Sequence, residues 1–347
     1  MMSRNYIKQV FKLLLFITAM SAWEFSFKSF FSSPQMLSSD AIPYYDHFEF
    51  FIKSVSKGIY PFWDNRSYLG MPNEFFLRRI GEFNPTYIFM LILNKLGVDF
   101  YITYSCFLSF YYLLGVCGFY KFSSKMFNNR LLAVIAFLLL MFSSLSSILS
   151  KSFIIIIFVP LVWFFYFLTD FYYSQKKASF FGMTFCLMIV LTTYVPFYFF
   201  TILVFFVLFF IVFYYKESAR FILKAVKFVN INKFFVLSCA ILFFLSSLPG
   251  LMFFNDMKRG DLILPVRHYL LESKNAFEVV QQSTVVGGVP AINLLGAFLL
   301  DPEYLMAGEV YVPIFTYILL FLAVFVRINK RLIFLFSLGF FVFLISI

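Results

Sequence analysis

Seven side chains that could move a proton or hold a cation fall within Ser38–Pro85: Asp40, Asp46, His47, Glu49, Asp64, Glu74 and Glu82. Asp40 stands just beyond an apolar run and just ahead of a helical pattern, so its carboxylate could take a proton from an acceptor hydroxyl within hydrogen-bond reach. A helix N-cap uses the same residue type at the same place, and position alone leaves the two readings level. Asp46 and Glu49 share one face of the helix that follows, and His47 does not. The three together make a weak metal signal, and a solvated face is the ordinary alternative. His47 and His268 are the only histidines, which argues against a zinc site built on imidazole. Arg78, Arg79, Lys258, Arg259, Arg267 and His268 put cations on two polar loops. There they could hold a lipid phosphate and stabilise it as a leaving group, or meet anionic headgroups. Trp63 and Tyr68 could stack on sugar rings, although aromatic residues at a membrane interface are ordinary anchors.

The elements that must position these groups follow from composition. The chain has 347 residues, 62% of them hydrophobic and 13% charged, and long apolar runs recur with few breaks. Backbone groups in lipid must be satisfied within each helix, so the expectation is an all-α polytopic membrane protein. The net charge of +11 does not indicate a nucleic-acid partner, because the cations sit in short clusters between apolar runs as orientation by positive charge requires. Cys106, Cys117, Cys186 and Cys239 all fall inside apolar runs, which fits small packing residues better than disulfides or metal ligands. The 57 phenylalanines fit lipid-facing surface.

Arg4, Lys8 and Lys12 precede a first span at Phe11–Phe30, placing the N-terminus in the cytoplasm. No A-x-A-like cleavage site follows, so this span reads as a retained anchor. Glu24 and Lys28, four apart near its outer end, read as an ion pair. A first outer loop, 32–99, comes next. Within it Pro43 suits a helix start, and Tyr44, Phe48, Phe51, Ile52, Val55 and Ile59 recur at helical spacing, opposite Asp46, Glu49, Lys53 and Lys57. The expectation is a short helix ending at Gly58 and lying along the membrane surface. Pro61–Asp64 and Leu69–Pro72 read as irregular. Pro85–Gly97 is apolar but too short to cross a core of about 30 Å. Further spans are expected at Phe100–Tyr120, Leu131–Leu149 and Phe153–Phe171. Phe180–Phe213 is read as two spans broken near Pro196, followed by Phe234–Phe253, Tyr311–Val326 and Leu332–Ile347, about nine in all. A second outer loop covers 254–310. This arrangement puts sixteen basic residues and two acids, Asp170 and Glu217, on the inner side, and fourteen acids on the two outer loops. The chain stops within an apolar run, so a fragmentary sequence is expected and nine is a minimum. The whole, 1–347, reads as a single transmembrane domain.

Taken in order, Ser39-Asp40 after the first span, Gly58, Pro61-Phe-Trp-Asp64, Gly70, Pro72 and Asn84-Pro85 resemble the bacterial YfhO-like membrane proteins, which look like glycosyltransferases of the GT-C architecture. Looser similarities are Ser143-Ser144 after a span, and Leu264-Pro265, Ser273-Lys274, Pro290, Leu294-Leu295, Asp301-Pro302 and Gly308 in the second loop. The resemblance implies a multispan enzyme of a bacterial cytoplasmic membrane. It would take a sugar from a polyprenyl-phosphate carrier on the outer face and pass it to a cell-envelope glycan, a teichoic-acid-like polymer or a lipid acceptor. It implies Asp40 as catalytic base or metal ligand, with Asp46, His47, Glu49, Trp63 and Asp64 assisting or binding acceptor, and Arg78, Arg79, Arg267 and Lys274 as donor-phosphate candidates. A divalent cation, Mg or Mn, could sit at Asp40 and Asp46. Two positions depart from the pattern. Asp64 stands where the family usually has Asn, and Ser273-Lys274 stands where an Arg is expected nearby.

The competing classes are a transporter or flippase, and a non-catalytic envelope assembly protein. The first needs charges buried along its spans, and beyond Lys28 the spans carry almost none, with Lys151 and Asp170 at span ends. The second should tolerate Asp40→Asn.

Overall fold

The computed structural model describes Leu14, Ile17 and Ser21 and residues 41–66, 71–73, 77, 80–82, 84–141, 155–192 and 196–258. The expected spans at Phe11–Phe30, Tyr311–Val326 and Leu332–Ile347 lie outside these, apart from the three helical residues Leu14, Ile17 and Ser21. The chain divides into two compact units, Met1–Pro196 and Phe197–Ile347.

Within the first unit, helix α1 runs over Ala41–Ser56. It closes at Gly58, whose φ of +77° is a left-handed conformation that only glycine adopts without strain. The apolar face expected from periodicity is the buried one. Tyr44, Phe48, Phe51 and Ile52 are buried, and Val55 packs partly against them. Its cover is protein, however, and not the membrane surface expected from the sequence. Phe48 meets Tyr87 edge-on at 5.1 Å between ring centroids and also packs on Tyr104 and Phe107. Tyr45 meets Phe100 and Tyr104, each at 5.3 Å. Ile59 was expected on the same face, but it lies past the glycine and is exposed.

The stretch expected to be irregular forms a small antiparallel pairing. Strands β1 (Trp63–Asp64) and β2 (Met71–Pro72) set Trp63 opposite Pro72 and Asp64 opposite Met71. Pro72 brings no N–H, which confines it to an edge of this kind. A 3₁₀ turn (Pro85–Tyr87) then leads into α2 (Ile88–Lys95). Asn84 caps the turn, its Oδ1 accepting from the Thr86 amide at 3.1 Å and the Thr86 hydroxyl at 2.7 Å. Eight residues of α2 rise about 12 Å, so this segment does not cross, in keeping with the sequence reading. Its end is tied to α1 by Asn94 Nδ2 donating to Ser56 Oγ at 2.8 Å.

Helix α3 (Phe100–Phe127) starts at Asp99, whose Oδ1 accepts from the Tyr101 amide at 2.9 Å. After α4 (Arg130–Met141) come α5 (Ile155–Ser174) and α6 (Lys177–Leu191). Among the described residues, α3 and α5 are each long and apolar enough to cross a membrane, and the chain is a helical membrane protein. Helix α5 packs closely against both α3 and α6, and glycines set those approaches. A Cβ on Gly118 of α3 would lie 2.8 Å from Trp163 Nε1, and one on Gly182 of α6 would lie 2.6 Å from the Phe167 ring. Trp163 Nε1 also donates to the Leu114 carbonyl at 3.0 Å, bonding α5 to α3.

Helix α7 (Pro196–Phe213), which lies in the second unit from Phe197 onward, begins at the proline near which the break was expected, and residues 193–195 before it lie outside the described ones. It is followed by α8 (Tyr215–Ile231) and α9 (Lys233–Lys258). The stretch between the spans expected at Phe180–Phe213 and Phe234–Phe253, with Lys216, Arg220, Lys224 and Lys227, is thus a helix in its own right. Helices α8 and α9 together reach the length and hydropathy of a span, but across a bend of 99°.

Candidate functional site

Two carboxylates of the first loop, Asp46 and Asp64, are organised by a cation that the sequence reading did not single out. Asp64 ends β1, next to the Asn65–Arg66 turn, and is 1% exposed. Its Oδ1 accepts from the Arg66 amide at 2.9 Å, closing an Asx turn, and from Arg66 Nε at 3.0 Å. Its Oδ2 accepts from Arg66 Nη2, also at 3.0 Å. The guanidinium reaches onward to α1, where Nη1 and Nη2 donate to the two oxygens of Asp46 at 3.0 and 3.1 Å. It also lies over the Phe50 ring, 4.1 Å from the centroid. One planar cation therefore bridges two carboxylates and stacks on an aromatic face, a combination that suits arginine and not lysine.

The electrostatics follow from that geometry. Hydrogen bonds from Arg66 hold the Asp64 carboxyl below its ordinary value of 3.8, against the upward push of burial, and the charge of nearby His47 adds to the lowering. Asp64 is thus a buried anion at neutral pH. It is not poised as a proton donor.

Asn73 fixes the backbone around this cluster. Its Nδ2 donates to the Pro61 carbonyl and its amide to the Phe62 carbonyl, both at 2.9 Å. Held in this way, residues 59–63 present a lip of exposed side chains: Ile59, Tyr60, Phe62 and Trp63. Tyr60 and Phe62 pack at 4.5 Å between centroids. With Phe50, Ser54 and Asn65 these residues line an open groove of about 370 Å³. Trp63, named from sequence as a stacking residue, is on that groove. Asp64 stands in the chain between two lining residues, Trp63 and Asn65, and Arg66, which bonds Asp64 and Asp46, stacks on a third, Phe50.

Glu49 pairs with Lys53 one turn along α1, the solvated ion pair that the ordinary reading expects. His47 stands close enough to act electrostatically on Asp64. Asp40, Arg78, Arg79, Arg267 and Lys274 lie outside the described residues. Among the described residues no three His, Cys, Asp or Glu side chains gather as a metal site would require. Asp46 already gives each oxygen to Arg66, so a divalent ion there would have to share the carboxylate with a cation. As arranged, Asp46 does not fit that role.

A second polar cluster joins three helices at the far end of α3. Lys125 Nζ donates to Asp170 Oδ1 of α5 at 2.6 Å, while Ser179 of α6 donates to Oδ2. Ser174 adds a bond to Oδ2 at 3.3 Å. Each carboxylate oxygen of Asp170 thereby ties α5 to a neighbouring helix, which is a structural role.

The chain matches no family model, and comparison with curated proteins and with solved structures finds no relative.

Proposed function

We propose that the chain is a membrane glycosyltransferase of GT-C type that moves a sugar from a polyprenyl-phosphate carrier to a cell-envelope acceptor. The reaction would take place on the outer face of a bacterial cytoplasmic membrane, with the N-terminus inside and about nine spans. The observation that carries this reading is the aromatic groove at Tyr60, Phe62 and Trp63, backed by the Asp46–Arg66–Asp64 cluster. Aromatic faces suit the apolar faces of sugar rings, and flanking polar groups suit their hydroxyls. The groove lies on a loop whose helix α1 packs onto α3, a helix long and apolar enough to cross a membrane, and such a crossing would set the groove within reach of a substrate held at the lipid surface.

Asp40 is the proposed base. It directly precedes Ala41, the first residue of α1, and α1 carries Asp46 of the cluster. The proton of the acceptor hydroxyl passes to the Asp40 carboxylate as the acceptor oxygen bonds to the sugar's anomeric carbon, and the bond from that carbon to the carrier phosphate breaks. Arg78, Arg79, Arg267 and Lys274 are the proposed cations for the leaving phosphate. Asp64 and Arg66 position the groove wall and take no proton. No step is routed through a metal ion.

The test is transfer from a labelled polyprenyl-phosphate sugar in membranes, comparing wild type with Asp40→Asn at matched expression. The expected result is transfer by wild type and a loss of about a hundredfold or more in the variant, within the range for removal of a general base. Equal transfer by both returns Asp40 to the role of a helix cap. No transfer by either with any donor favours a non-catalytic assembly role.

A further inference from the structure

Helix α8 has three faces with three different fates. One is buried in protein: Ser218 and Phe228 are 6% exposed each, with Phe221 and Ala225 half-buried alongside. The second carries Lys216, Arg220, Lys224 and Lys227, spaced 4, 4 and 3 residues apart and all exposed, so they form one stripe. The third carries Tyr215, Ile222, Val226 and Val229, exposed by 62, 57, 53 and 38%. These also recur at helical spacing, and they run beside the basic stripe. An isolated exposed apolar residue means little, but a full-length apolar stripe next to a full-length basic stripe is a pattern with a partner. Glu217 is the only acid on the helix, and it sits in the first turn, where the helix dipole favours it.

The direction of the helix identifies the surface it meets. It turns 99° from α9, and the sequence reads Phe234–Phe253 within α9 as a crossing. A helix at a right angle to a crossing helix lies in the plane of the bilayer. Seventeen residues span about 25 Å, but four regularly spaced cations forbid burial in the hydrocarbon core. In-plane burial of the apolar stripe leaves the cations at headgroup depth.

We propose that α8 is an interfacial helix that binds the anionic leaflet of its host membrane. Tyr215, Ile222, Val226 and Val229 enter the acyl boundary, and Lys216, Arg220, Lys224 and Lys227 hold lipid phosphates. The occupant is the phospholipid surface and not a second protein chain. Charge complementarity and the in-plane direction both favour it, and the binding is independent of any catalytic activity of the chain.

The test uses the full chain in bilayer discs of phosphatidylcholine alone or mixed with phosphatidylglycerol, with the native cysteines replaced by alanine. Spin labels are placed singly at Val226→Cys and Lys227→Cys, neighbours that α8 turns to different faces. The expected result is a label at 226 accessible to oxygen and shielded from a water-soluble nickel chelate, with the reverse at 227. A label at 226 open to the chelate overturns the proposal. A label at 226 shielded from both reagents also overturns it, because protein then covers the stripe. A second readout is the phosphatidylglycerol that copurifies with the chain. Joint replacement Lys216→Gln, Arg220→Gln, Lys224→Gln and Lys227→Gln should lower it by about tenfold or more, since each surface cation adds a multiplicative factor. Unchanged retention in that variant overturns the proposal independently of the labels.

Discussion

Arg66 shows how a single side chain can decide what two carboxylates do. Asp46 and Asp64 were visible in the sequence as candidate acid, base or metal groups. Their common partner was not, because the Asp46–Arg66 contact spans 20 residues and depends on the turn that folds Arg66 back toward α1. The local part of the signal was present in the Asp64-Asn-Arg66 order, which suits an Asx turn. Arg66→Gln should therefore leave Asp64 as a poorly compensated buried anion and destabilise the hairpin by about 1–3 kcal/mol. Thermal unfolding in detergent, followed through Trp63 fluorescence with Trp23 and Trp163 replaced by phenylalanine in both proteins, would read this loss, and an unchanged midpoint would refute it. The pH dependence has a definite sign. The folded-state value of Asp64 is lowered, so its stabilising contribution is present above the ordinary carboxylate value and is lost as pH falls through the folded value. Wild type should lose hairpin stability on acidification below about pH 4, and Asp64→Asn, less stable at neutral pH, should show a flatter acid limb. Parallel acid limbs in the two proteins would contradict the assignment.

At the level of elements, helical spacing identified which face of α1 is apolar but not what covers it. Lipid and protein impose the same period, so an amphipathic pattern alone cannot separate a surface helix from one packed on neighbours. Tyr87 of the 3₁₀ turn and the aromatic residues of α3 decide the matter by filling the face. Phe48→Ala should accordingly cost about 3–5 kcal/mol, measurable as a lowered unfolding midpoint in detergent where no bilayer exists. A helix held only by the membrane surface would show no such loss. The hairpin escaped the sequence reading for a different reason. Each strand has two residues, too few for alternation to register, and the bonds that fix it come from Asn73, a side chain with no period at all. Glycine was more legible in hindsight than in advance. Gly118 and Gly182 look like neutral residues in apolar runs until the neighbouring helix is placed. Gly182→Ala should cost about 1–3 kcal/mol through overpacking against Phe167. An unchanged midpoint would mean that the ring moves aside without penalty.

Across the first unit, the candidate site and the Lys125–Asp170 cluster mark the two ends of one helix. Helix α1 packs near the start of α3, through Phe100, Tyr104 and Phe107, and Lys125 sits near its finish. From Tyr104 to Lys125 the helix rises about 30 Å, the thickness of a hydrocarbon core. A crossing by α3 therefore separates the aromatic groove from the ion pair by a whole bilayer. The proposed orientation rests on charge. Lys121, Lys125, Arg130, Lys176 and Lys177 cluster at the finish of α3 and the junction of α5 with α6, and cations of short connections stay on the inner side. The groove end carries Asp46, Glu49, Asp64, Glu82 and Asp99, on a segment long enough to be exported regardless of its own lysines. In cells bearing the chain with its native cysteines replaced by alanine, Asn65→Cys should react with a membrane-impermeant maleimide without permeabilisation. Lys176→Cys should react only after the membrane is opened. The reverse pattern would put the groove on the wrong side for a polyprenyl-phosphate donor presented outside, and labelling of both from one side would mean that α3 does not cross. Either result would remove the proposed transferase while leaving the packing of α1 on α3 intact, because that packing depends on aromatic contacts and not on the orientation of the membrane.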